Sequence, residues 1–151
     1  MTRSVRNGVV AGCLGLLAAC GSDPTGIEGK RMELEDARRL WQAQGIDDYR
    51  MTVRLTGAWF GGAAVIRVRD GVPVSVQPVN AGQGVTAETF ASYDTVEELF
   101  AIVERAVAEG AHRLDAEYHA RLGLPVNVFV DPIQNAIDEE HGFVVEVFEP
   151  Q

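Results

Sequence analysis

Cysteine is nearly absent. Only Cys13 and Cys20 occur in the 151 residues, both close to the N-terminus. The rest of the chain has no thiol for a disulfide, a thiolate nucleophile or a zinc–sulfur site, so its apolar core alone must hold it. Histidine is scarce too, with three residues: His112, His119 and His141. His112 and His119 would face opposite sides of a regular strand, which argues against a shared zinc site. No Gly-x-Ser-x-Gly run, phosphate loop, nucleotide-binding glycine pattern or zinc-protease helix occurs, and catalysis is not expected. Basic charge is in deficit, with 13 Lys and Arg against 22 Asp and Glu and a net charge of −9. That balance argues against nucleic acid and against anionic lipid surfaces as partners. The apolar run from Gly8 to Ala19 falls well short of the roughly 20 residues that span a bilayer.

What is present begins with that run. Arg3 and Arg6 precede it, and Leu17-Ala18-Ala19-Cys20 closes it. A charged start, an apolar stretch and small residues before a break form the layout of a secretory signal. Three glycines in it (Gly8, Gly12, Gly15) make a core helix a poor reading. Its end resembles the bacterial lipobox. That resemblance implies cleavage before Cys20, a diacylglycerol on its thiol and an acyl chain, such as palmitate, on its new amino group. Two or three chains give a stable anchor where one is marginal. The chain is thus expected to be an extracytoplasmic lipoprotein, held to the cell membrane or outer membrane through Cys20. A signal peptide cleaved without lipidation is the competing reading. Arg3 and Arg6 leave with residues 1–19 and every acid stays, so the charge falls from −9 to −11.

Residues 20–30 read as a short polar tether. Residues 31–151 read as a single domain, large enough for a real core. Leu34, Ala37, Leu40, Trp41 and Gln44 recur at helical spacing, which predicts a helix from Arg31 to Gln44 that Gly45 ends. Tyr49, Met51, Val53 and Leu55 alternate with Arg50, Thr52, Arg54 and Thr56, the pattern of a half-buried strand. Residues 64–77 form a hairpin around Asp70-Gly71. A three-residue loop, Arg69 to Gly71, would set Val68, Ile66 and Ala64 opposite Val72, Val74 and Val76, with all six on one face. A two-residue loop would set Val68 opposite Pro73, and the first register is expected.

Residues 78–93 form a loop that is long for a compact domain. Thr95-Val96-Glu97-Glu98 is a capping box. The helix behind it buries Val96, Leu99, Phe100, Val103, Ala106 and Val107, and Gly110 ends it. Three strands follow, with Leu114, Ala116 and Tyr118 facing one way, then Val126, Val128 and Val130, then Phe143, Val145 and Val147. The last is apolar on both faces, which suits the inside of a sheet. The fold class is therefore α+β: an antiparallel sheet of about six strands with two helices on one face, in the order αβββαβββ. Gly71-Val72-Pro73-Val74-Ser75-Val76 echoes Gly123-Leu124-Pro125-Val126-Asn127-Val128. The echo suggests a pseudo-repeat, but six residues do not prove one.

Leu40 to Arg50, Val68-Arg69-Asp70-Gly71, Thr95 to Phe100, Tyr118 with Gly123 and Pro125, and Asp131 with Asn135 to Glu140 occur in that order. This arrangement is similar to the bacterial domain-of-unknown-function family 6174, whose members are secreted or lipoprotein-type. The resemblance implies export and one α+β domain, and no activity. Members often carry Cys-x-Cys after the first strand, where this chain has Ala58-Trp59-Phe60, so a redox or metal role of that pair does not carry over.

Candidate sites follow from what remains. Trp59 and Phe60, set between glycines, either fold back over the core or form an exposed tip that meets a membrane or partner. Asp131, Asp138, Glu139 and Glu140, with Asn135, supply oxygens of the kind calcium takes, without the spacing of a helix-loop-helix calcium loop. The plainer reading is a charged loop, and a calcium-stabilised structural domain is the alternative. No cofactor is implied. His141 beside Glu139 and Glu140 is the one acid–base cluster in the sequence, which keeps a small hydrolase using Asp131 and Glu139 as an alternative. The leading expectation is a non-catalytic envelope module that binds or inhibits an unidentified partner protein. Its expected contact surfaces are the tip at residues 57–62, the loop at 78–93 and the acidic loop.

Overall fold

The computed structural model describes residues 26–57, 61–79, 85–136 and 138–151. Helix α1 spans Ile27–Gln42, strands β1 Tyr49–Gly57, β2 Gly62–Arg69 and β3 Val72–Pro78 follow, and helix α2 spans Val96–Glu109. Strands β4 Arg113–Tyr118, β5 Pro125–Asp131 and β6 His141–Pro150 complete the chain. The expected αβββαβββ order and α+β class are therefore found. The six strands form one sheet in the order β3-β2-β1-β6-β5-β4. Every neighbouring pair is antiparallel. Among the described residues no helix is long and apolar enough to cross a membrane.

Alternation along β1 buries Tyr49, Met51, Val53 and Leu55, and β6 lies against it at the centre of the sheet. Both helices pack on this inner face. Leu34, Ala37 and Trp41 of α1 and the apolar stripe of α2 join the strands in one continuous core. Thr95 caps α2 by accepting a 3.1 Å hydrogen bond from the N–H of Glu98. Gly110 ends the helix in a left-handed conformation. On the outer face Arg50 and Arg54 pair with Glu149 and Glu146 of β6 at 2.9 and 2.6 Å, so neighbouring strand acids, not the acidic loop, balance that basic stripe.

Four expectations need correction. Helix α1 begins at Ile27, so residues 27–30 belong to the helix and not to the tether, and it stops at Gln42. Gly29 is buried within its first turns. The hairpin takes the two-residue loop: Asp70 and Gly71 both have positive φ, and Arg69 and Val68 pair with Val72 and Pro73. A bulge at Val74 then shifts the register, so Ile66 meets Val76 while Val72 and Val74 stay 59% exposed. A second bulge at Glu146 of β6 turns Phe148 inward and leaves Val147 at the surface. Finally, the long loop holds a 3-10 turn, Ala87–Phe90, which Thr86 and Thr89 cap reciprocally and which buries Phe90 fully.

The six-residue echo does not mark superimposable halves. Counting outward from the centre, the first half runs β1-β2-β3 and the second runs β6-β5-β4. With both helices on one face, these arrangements have opposite hand, and no rotation brings one onto the other.

Candidate functional site

One end of the sheet brings together the described flanks of the three segments expected to make contacts. Gly57, at the end of β1, pairs with His141, at the start of β6. A Cβ on Gly57 would sit 2.5 Å from the carbonyl oxygen of Glu140, so the end of β1 and the acidic loop are in backbone contact. Gly62, where the tip returns to β2, packs against the side chain of Val85 from the long loop, and a Cβ there would come within 3.0 Å of it. Trp59, Phe60 and Cys20 lie outside the described residues.

Between the long loop, the C-terminal half of α2 and the acidic loop lies a cavity of about 460 Å³. Ile102 and Ala106 of α2, Val130, Pro132 and Ile133 give it apolar walls, and Ser92, Tyr93, Arg105, Glu109 and His141 bring polar groups. Its size falls within the usual range of small-molecule pockets. Tyr93 is held in place by edge-to-face packing on Phe143, with ring centroids 6.0 Å apart. Burial raises its hydroxyl pKa above the ordinary tyrosine value, and the nearby Arg105 charge partly offsets this. Arg105 has no ion-pair partner among the described residues, unlike Arg38, which pairs with Glu104 at 3.1 Å one position along the helix.

Among its described residues the acidic loop does not form a preassembled site. Asp131 ends β5 opposite Arg113, on the outer face, whereas His141 sits opposite Val130, on the inner face. The Nδ1 of His141 donates to the backbone oxygen of Glu139 at 3.2 Å, so its only described bond is within the turn. Asp131 and His141 therefore lie on opposite faces of the sheet. No group of three or more His, Cys, Asp or Glu side chains among the described residues is placed to hold a metal. Asn135 and Asp138 have positive φ, a conformation that these residue types tolerate better than most, and that accounts for part of the loop's polar composition. His119 likewise serves a turn, its Nδ1 accepting from the N–H of Leu122 at 3.1 Å.

Residues 33–150 match the model of a family of unknown function, DUF6174. The chain belongs to that family. No curated protein and no solved structure matches it. Membership in DUF6174 agrees with the single α+β domain and assigns no chemistry to the cavity. Sequence reasoning missed Tyr93, Arg105 and Glu109 as lining residues. Arg105 and Glu109 sit one turn apart on α2, off its apolar stripe, and read as a solvated face. Only the return of Pro132 and Ile133 across the helix makes that face a wall.

Proposed function

We propose that this DUF6174 protein is an extracytoplasmic lipoprotein, anchored through acylated Cys20, whose domain is a non-catalytic binding module. Its ligand or partner segment enters the cavity beside Tyr93 and Arg105. The observation that carries the binding reading is the make-up of that cavity. Its walls are apolar, and Tyr93, Arg105, Glu109 and His141 form no described hydrogen bond with one another. Polar groups left open above an apolar floor suit recognition. The anchor reading rests on Leu17-Ala18-Ala19-Cys20 behind Arg3 and Arg6.

Two measurements test these parts separately. Labelled palmitate is expected in the wild-type protein and lost in Cys20→Ala; equal labelling of both refutes the anchor. Cross-linking in intact envelopes is expected to capture one specific partner with the wild-type chain and to lose it in Ala106→Trp, which fills the cavity. Capture that survives Ala106→Trp moves the binding surface elsewhere.

A further inference from the structure

The two edges of the sheet are built differently. The β3 edge is guarded: Pro73 and Pro78 lack an N–H to offer, and the bulge at Val74 breaks the ladder. The β4 edge has neither device between Arg113 and Glu117. His112 donates to the carbonyl of Pro132 at 3.3 Å, and this sets the phase of the ladder. Leu114 and Ala116 then bond inward to Val130 and Val128, and the backbone N–H and C=O groups of Arg113, Asp115 and Glu117 point outward from the edge. Cavities of about 510 and 600 Å³ flank this edge, and both border Lys30 of α1 and Arg113 and Asp115 of β4.

We propose that this edge pairs with the same edge of a second copy, antiparallel about a two-fold axis at Asp115. The register is self-complementary at two pairs on the outer face and at two on the inner face. On the outer face Arg113 meets Glu117 of the other copy, twice by symmetry. On the inner face Leu114 meets Ala116, so apolar stands opposite apolar and extends the core layer. Asp115 meets its own copy, and each is already bonded to Arg113 at 2.7 Å. Mixed charge of this order distinguishes β4 from an edge defended by one sign, which would repel its own copy. Pairing joins two sheets of six strands into one of twelve.

The test is the mass of the full-length chain in mild detergent, by sedimentation. The wild type is expected to carry two chains per particle. Arg113→Glu sets like charges opposite each other at two positions and is expected to weaken association about tenfold or more. The double variant Arg113→Glu with Glu117→Arg restores complementarity and is expected to restore the dimer. A wild-type monomer at about 100 μM, a concentration at which a micromolar pair would be almost wholly associated, overturns the proposal. So does a dimer indifferent to Arg113→Glu, or a swap that stays monomeric. Should Arg113→Glu fail to fold, oxidation of Asp115→Cys decides the matter. It should give a linked dimer beyond that of the unsubstituted chain, since directly opposed residues fall within disulfide reach, and no added linkage refutes the register.

Discussion

The hydroxyl of Tyr49 accepts a 2.9 Å hydrogen bond from the backbone N–H of Val96. The first residue of β1 thus satisfies the first turn of α2, whose N–H groups have no partner within the helix. Tyr49 is 1% exposed, and burial holds its pKa far above the ordinary tyrosine range, so it stays a neutral acceptor. Tyr49→Phe keeps the ring among Trp41 and Phe148, at centroid distances of 5.9 and 5.2 Å, and removes only the oxygen. The orphaned N–H should cost about 1–3 kcal/mol, read from urea denaturation at unchanged m-value. A loss below measurement error would mean that water replaces the bond.

This contact lay beyond the reach of sequence reading, although both its elements were plain there. The alternation of β1 and the stripe of α2 have periods that only one structure satisfies. Registers failed where a bulge intervened. Placing Val72, Val74 and Val76 on one face assumed an unbroken ladder, and the bulge at Val74 let the tighter Asp70-Gly71 turn win while Val76 still reached the core. The same event at Glu146 exchanged Val147 for Phe148. Phe90 hid in a stretch too short and polar to show a period. The cavity was least legible, because Ser92, Arg105 and Ile133 are brought together only by tertiary packing.

Trp41 joins the helices. Its Nε1 donates to Glu97 of α2 at 3.0 Å, and its ring is 4% exposed. Trp41→Ala should cost about 3–5 kcal/mol through lost burial and the cavity left behind. Glu97→Gln retains an acceptor and should cost under about 1 kcal/mol, whereas Glu97→Ala removes the bond and should cost about 0.5–1.5 kcal/mol. Thermal melts that rank Glu97→Gln below Glu97→Ala would remove the hydrogen bond from this account.

Two aspartates give stability opposite dependences on pH. Asp48 accepts from the N–H of Asp70 at 2.8 Å and from Arg69 at 2.9 Å, and these bonds lower its pKa. Its stabilisation is present above the ordinary carboxylate value of 3.8 and fades as pH falls through the lower folded value. Asp94 is raised, chiefly by burial and then by the charge of Glu98. Its ionisation in the fold costs stability above the folded value, and that cost disappears on acidification. Asp94→Asn should therefore stabilise at pH 7 with a gain that shrinks towards pH 3, and Asp48→Asn should flatten the acid limb of the stability curve. Identical pH profiles for both variants and the wild type would exclude these assignments.

Gly71 and Gly123 separate two reasons for glycine. Both have positive φ, +71° and +83°. A Cβ at Gly71 would meet nothing within 4 Å. A Cβ at Gly123 would lie 2.3 Å from the carbonyl oxygen of Ala37 and 2.8 Å from the nitrogen of Trp41, both backbone atoms of α1 that cannot swing aside. Gly71→Ala should cost only the left-handed conformation, about 1 kcal/mol. Gly123→Ala carries that penalty and also pushes α1 away from the sheet, so its loss should exceed about 4 kcal/mol, into the range that marks a specific defect. Chemical denaturation of the pair gives the difference directly, and that difference measures how closely the helix rests on the turn before β5. Equal losses would show that α1 yields at no cost, and its packing against Gly123 would then hold nothing in place.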